Sequence, residues 1–176
     1  MKQAVKITFC AVLAALSAVL MLFSYLTTLT YAVPAMAGLL SMIPVIEIDR
    51  KWALGTYCTA AVLVFLMAEQ ESKWLYIAFF GFYPIVKSWI EQIGKPLIEW
   101  LLKLVVFNAC MLLIYGAFSV LFSISAEDFA VLGKYGAWIF LAMGNAVFVL
   151  YDVAVTRMAM LYIRRVSPQI SKLLHR

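Results

Sequence analysis

The chain has 176 residues, 66% of them hydrophobic and only 13% charged, with mean hydropathy +0.99 and a formal net charge of +5. A soluble domain averages roughly 45–50% apolar and about 25% charged residues; a chain this short cannot hide the excess inside itself, so lipid is the solvent its composition calls for. That leaves no room for a separate soluble enzyme domain, and the basic excess lies at the ends of apolar runs, as membrane topology demands, which speaks against a nucleic-acid surface.

The first apolar run, Ile7–Leu26, follows Lys2 and Lys6. It is long enough to span a bilayer, which takes about 20 residues. With no small-residue cleavage site and further runs behind it, it reads as a retained helix rather than a signal peptide. The second run, Tyr31–Ile48, carries Pro34, Gly38 and Pro44 and is expected to be short or kinked. Asp49, Arg50 and Lys51 end it, and a third run covers Trp52–Ala68. The polar stretch Glu69–Lys73 reads as a loop, Trp74–Ile93 as the fourth span, and Gly94, Lys95 and Pro96 as a turn. The fifth run is Leu97–Ile124; the acidic loop Ser125–Phe129 leads through Gly133 to the sixth, Tyr135–Ile163, and a basic tail that suits a membrane surface.

The expected architecture is therefore an all-α membrane protein, a six-helix transmembrane bundle forming one domain over residues 1–176, with helices near 7–26, 31–48, 52–68, 74–93, 97–124 and 135–163. With both termini cytoplasmic, Lys2, Lys6, Arg50, Lys51, Lys95, Arg164, Arg165, Lys172 and Arg176 fall inside and only Lys73 and Lys134 outside, where Glu69, Glu71, Glu127 and Asp128 also lie. A missed or extra helix would spoil this sorting, so the charge pattern supports the span count and the orientation together. The short loops and N-terminal lysines suit a bacterial cytoplasmic (inner) membrane.

Much chemistry is excluded. Cys10, Cys58 and Cys110 sit singly inside apolar runs, against a disulfide framework or zinc site, and the sole histidine, His175, precludes a multi-histidine metal centre. The chain lacks a phosphate-binding G-x-x-x-x-G-K-[ST] loop, so it does not hydrolyse ATP itself, and it lacks H-E-x-x-H and G-x-S-x-G. It reads as a non-enzyme with no cofactor.

Three groups of residues stand out. Ala11, Ala14, Ala15 and Ala18 form two overlapping A-x-x-x-A pairs on the first helix; small residues four apart let a second helix approach closely, within the bundle or from a partner. Intramembrane ionisable residues form the second group. Lys87 and Glu91, Glu99 and Lys103, and Asp152 and Arg157 fall in the inner half, where with Glu47 they could form one cytoplasm-facing network: a coupling surface or ion path, or a set of satisfied ion pairs. The third group is aromatic and amide: Trp74, Tyr76, Phe79, Phe80 and Tyr83 on the fourth helix, Asn108, Tyr115 and Ser119 on the fifth, Tyr135, Trp138 and Asn145 on the sixth. Trp74, Phe80, Tyr83, Asn108, Tyr115, Trp138 and Asn145 are the candidate lining of an outer cavity for a small amphipathic ligand, although aromatic belts mark membrane interfaces generally.

A chain near 20 kDa with an alanine-rich first helix, AVLAALSAVL (Ala11–Leu20), and a proline- and glycine-bearing second, VPAMAGLLSMIPVIE (Val33–Glu47), resembles the substrate-binding S-components of energy-coupling factor (ECF) vitamin transporters. The resemblance implies capture of a vitamin or similar micronutrient at the outer face, and association through Ala11, Ala14, Ala15 and Ala18 with a transmembrane coupling protein and two cytoplasmic ATPases. No substrate branch is indicated, and FYPIVKSWIEQI (Phe82–Ile93) matches none. Two readings compete: a membrane scaffold or accessory protein similar to the rod-shape protein MreD, and a small secondary transporter with Lys87, Glu91 and Asp152 at a midplane site.

Overall fold

The computed structural model describes residues 2–25, 29–122 and 136–174, which are helical with no strand among them. Helix α1 (Gln3–Leu22) runs into a 3-10 turn, Phe23–Tyr25. Then follow α2 (Ala32–Leu39), α3 (Met42–Glu47), α4 (Arg50–Met67), α5 (Gln70–Leu75), a π-helical turn (Tyr76–Phe80), α6 (Tyr83–Ile90), α7 (Pro96–Phe122), α8 (Gly136–Arg165) and α9 (Ser167–Leu174). Among the described residues three helical stretches are long and apolar enough to cross a membrane: Gln3–Tyr25, Pro96–Ile114 and Leu141–Arg165. The chain is a membrane protein by that measure. Only 17% of the most apolar window of Pro96–Ile114 and of Leu141–Arg165 is buried, against 39% for α1, so these stretches of α7 and α8 turn most of their surface outward, as lipid permits and water does not.

The other expected spans are broken, each for a local reason. Pro44 has no N–H to give the Leu40 carbonyl, so the chain tightens between α2 and α3: Leu40 N–H bonds Ala37 O at 3.2 Å, Ser41 N–H bonds Gly38 O at 3.0 Å and Ile43 N–H bonds Leu40 O at 3.1 Å. Helix α4 starts two residues before the expected Trp52 because Asp49 caps it, its side chain accepting from Arg50 N–H at 2.7 Å. Glu69–Lys73, expected as a loop, is mostly the first turn of α5. The expected fourth span is not one α-helix but α5, the π turn and α6 in succession. Gly94 takes φ +70, the left-handed conformation a tight turn requires, and Pro96 opens α7. The basic tail, expected at a membrane surface, is helical as α9.

The π turn is where the halves of the molecule meet. Gly81 N–H reaches back to Tyr76 O at 2.8 Å, which strands the Ile77 carbonyl; the Tyr57 hydroxyl from α4 donates to it at 2.6 Å. A Cβ on Gly81 would stand 2.8 Å from the Tyr57 ring, so only glycine admits that ring. Pro84 in turn cannot donate to Phe80 O. That carbonyl is pressed against α2 at Gly38, where a Cβ would lie 2.3 Å from it. From this segment Tyr76 enters a first core with Ala14, Ala18 and Met21 of α1, Val33 and Ala37 of α2 and Ala60 and Val64 of α4. Phe79 and Tyr83 enter a second core with Phe107 and Cys110 of α7 and Phe148 of α8.

Candidate functional site

At one end of the second core, three helices bring four charges together. Tyr83, Lys87 and Glu91 recur every four residues and so share one face of α6 and its last turn. Helix α7 supplies Lys103 from the face that also buries Phe107 and Cys110, and α8 supplies Asp152 from the face that buries Phe148 and Val155. Lys87 pairs directly with the Asp152 carboxylate, lies 3.3 Å from the Asp152 main-chain oxygen and is 2.9 Å from Glu91 Oε1. Lys103 Nζ is 2.7 Å from the same Glu91 oxygen and 3.2 Å from Asp152 Oδ2. The Tyr83 hydroxyl donates to Asp152 Oδ1 at 2.5 Å. The Lys87, Lys103 and Asp152 side chains are only 4–5% exposed, whereas that of Glu91 is 39% exposed and opens the cluster to one side.

Two cations face two anions, so the cluster is neutral. Each Asp152 carboxylate oxygen is engaged, and the Lys103 ammonium also lies 5.3 Å from the centre of the Trp100 ring. Above it the aromatic core keeps water away. The Phe107 and Phe148 rings stack at 4.7 Å, Phe79 meets Tyr83 at 4.9 Å, and Tyr151 meets Phe80 at 4.9 Å. In so apolar a setting each ion pair is stronger than in water, and each charge is correspondingly costly to leave alone. The arrangement is an electrostatic clasp that ties α6, α7 and α8 together.

Of the expected inner charges, Lys87, Glu91, Lys103 and Asp152 are assembled here and Glu47, Glu99 and Arg157 are not. Glu47 stands apart, near Tyr162 of α8, and Arg157 is on the exposed face of α8. Lys103, expected to pair with Glu99 on its own helix, instead reaches across to Glu91 and Asp152. Its signal was available in sequence: on a four-three spacing Lys103 shares a face with Phe107 and Cys110, a core stripe in which a lysine needs a carboxylate from elsewhere.

Of the residues expected to line an outer cavity, Trp74, Phe80, Tyr83, Asn108 and Asn145 are each engaged by neighbouring side chains. Tyr83 is committed to Asp152. Phe80 is packed in the aromatic core, and Trp74 lies edge-on to Phe65 with ring centres 6.0 Å apart. Asn108 and Asn145 bond each other reciprocally at 3.0 and 3.1 Å, and each also donates to the carbonyl four residues back, Leu104 and Leu141, at 2.8 Å. An amide has two N–H donors, so both asparagines have spent theirs on the α7–α8 contact. The side chains of Tyr115, Ser119 and Trp138, and all of Glu127, Asp128, Lys134 and Tyr135, lie outside the described residues, as does His175.

The four alanines divide. Ala14 and Ala18 are 1% and 5% exposed and pack into the first core beside Ala60 and Val64 of α4, so the chain's own bundle occupies that pair. Ala11 and Ala15 face outward, with Val12, Leu16 and Val19 exposed around them. The fitting signal in sequence was a small-residue stripe on α4, Ala53, Thr56 and Ala60, matching Ala14, Ser17 and Ala18.

No protein-family model, no curated protein and no solved structure matches the chain.

Proposed function

We propose that the chain is a substrate-capturing S-component of an ECF-type importer. In this reading it lies in a bacterial inner membrane with both termini in the cytoplasm. It crosses six times, by α1, α2–α3, α4, α5–α6, α7 and α8, binds a vitamin or other small micronutrient from outside without transforming it, and works through a coupling protein and two ATPases. The observation that carries this reading is the two-sidedness of α1. One small-residue face, Ala14 and Ala18, is used against α4; the other, Ala11 and Ala15, is left smooth and unoccupied beside exposed Val12, Leu16 and Val19. A free small-residue face suits a partner helix at close range.

The test is a pull-down of the tagged chain from native membranes with two tryptophan variants. Ala15→Trp adds bulk on the outward face; it should leave the fold intact and strip away the coupling protein and ATPases. Ala14→Trp should instead unfold the α1–α4 seam. If the wild-type chain brings down no ATPase, or Ala15→Trp retains it, the importer reading fails.

A second reading, a scaffold of the MreD type, is favoured by the way Phe79, Phe80, Tyr83, Phe107, Phe148 and Tyr151 fill the space between helices with one another. It predicts that the same pull-down yields membrane proteins without ATPases. The neutral clasp gives little support to a secondary transporter, whose ion site would need an unspent charge.

A further inference from the structure

The C-terminal end of α8 carries a feature that neither the clasp nor the alanine face explains. Arg157, Met160, Leu161 and Arg164 follow the i, i+3, i+4, i+7 spacing and so form a single face of the helix. All four are exposed, and they line an open groove of about 410 Å³. The opposite face, with Asp152, Val155 and Tyr162, is buried, so α8 spends one side on the protein and presents this one outward. The two guanidinium groups have no carboxylate partner among the described residues, although the neighbouring clasp pairs every charge it holds. The groove lies within the last turns of the apolar stretch Leu141–Arg165, directly before α9, and the arginines stand about 10 Å apart along the axis at 1.5 Å per residue.

We propose that this groove binds an anionic glycerophospholipid of the inner leaflet, its phosphate held by Arg164 and Arg157 and the start of its acyl chain lying along Met160 and Leu161. A guanidinium presents a planar fork of N–H donors that matches phosphate oxygens two at a time. An anionic headgroup supplies the negative charge that both arginines lack, and the apolar residues between them suit a ligand that is itself half apolar. The choice of leaflet rests on the topology proposed above, with the C-terminus cytoplasmic, and basic pockets at the cytoplasmic end of a span are where such headgroups bind. A soluble phosphate would satisfy the arginines but leave Met160 and Leu161 without a role.

The experiment is a lipid titration of the purified full chain in neutral detergent, followed by native mass spectrometry. The probes are phosphatidylglycerol, phosphatidylcholine and glycerol phosphate, and the variants are Arg164→Gln, Arg157→Gln/Arg164→Gln and Arg165→Gln. The Arg165 variant removes the same unit of charge one position off the face, and the melting temperature without lipid checks that each variant is folded. The expected result is that phosphatidylglycerol binds tightest and that Arg164→Gln weakens it about tenfold, the loss of one charge-assisted contact. The double variant should weaken it further, and Arg165→Gln should leave it near wild type. Equal binding of phosphatidylcholine, or equal losses for Arg164→Gln and Arg165→Gln, would overturn the site in favour of diffuse attraction. Competition by glycerol phosphate at the strength of the lipid would overturn it in favour of a soluble phosphate.

Discussion

Asp152 accepts from Tyr83, Lys87 and Lys103 at once, so its removal leaves two buried ammonium groups sharing Glu91 alone. Breaking a buried ion pair by deleting one partner costs about 3–5 kcal/mol, most of it the penalty of the stranded charge. Asp152→Leu should therefore lower stability by an amount of that order, read as a large fall in melting temperature in detergent. Adding Lys87→Met to it removes one stranded cation and leaves Lys103 its pair with Glu91, so the double variant should recover most of the loss. If the double variant is as unstable as the single one, the clasp does not hold the helices in the way its geometry requires. Glu91→Gln should be milder, because the partly exposed Glu91 can be replaced by solvent.

At the scale of elements, the breaks in the helices are points of closest packing. The Phe80 carbonyl, unbonded because Pro84 follows it, sits on Gly38 so tightly that a methyl there would come within 2.3 Å. Since the clash is with backbone and not with a side chain that could swing aside, Gly38→Ala should cost about 1–3 kcal/mol, the usual price of overpacking. Gly55, mid-way along α4, has nothing within 4 Å of a built Cβ; Gly55→Ala should leave stability unchanged or slightly raised, since alanine is the better helix former. Thermal unfolding of the two variants side by side checks the argument, and equal effects would sink it. The α7–α8 pair adds a milder case. The reciprocal Asn108–Asn145 amides should show a favourable coupling of about 0.6 kcal/mol in a double-mutant cycle, the average between membrane helices, and no more than roughly 1.7 kcal/mol.

For the whole molecule, the span count turns on the broken helices. Among the described residues three helical stretches qualify on length and apolarity, while α2–α3 and α5–α6 would have to cross as broken pairs, which lipid allows only where neighbours satisfy the freed backbone groups. The Tyr57 bond to Ile77 O is one such repair. With six crossings and a cytoplasmic N-terminus, residue 71 faces outside and residue 95 inside. In a background with Cys10, Cys58 and Cys110 replaced, Glu71→Cys should react with an impermeant maleimide on intact cells, and Lys95→Cys only after permeabilisation. The reverse pattern, or both reacting from outside, would refute the six-span orientation.

Composition and hydropathy by themselves determined that this chain is helical and belongs in a membrane, because no arrangement of so few polar groups could face water. Apolar run length placed α1, α7 and α8 to within a few residues, and the turn at Gly94 was legible from its residue types. The tertiary structure decided what no single run contains. Pro34, Gly38 and Pro44 announced a kink, but not that Gly38 would receive the Phe80 carbonyl. Lys87, Glu91, Lys103 and Asp152 were visible as intramembrane charges, but Lys103 left Glu99 for Glu91 and Asp152 only because α7 turns its core face toward α8. Alanine spacing marked both faces of α1 equally, and the complementary stripe on α4 then chose Ala14 and Ala18. Periodicity reports which side chains share a face of one helix; which face meets which neighbour is settled by volume and charge complementarity between helices distant in sequence.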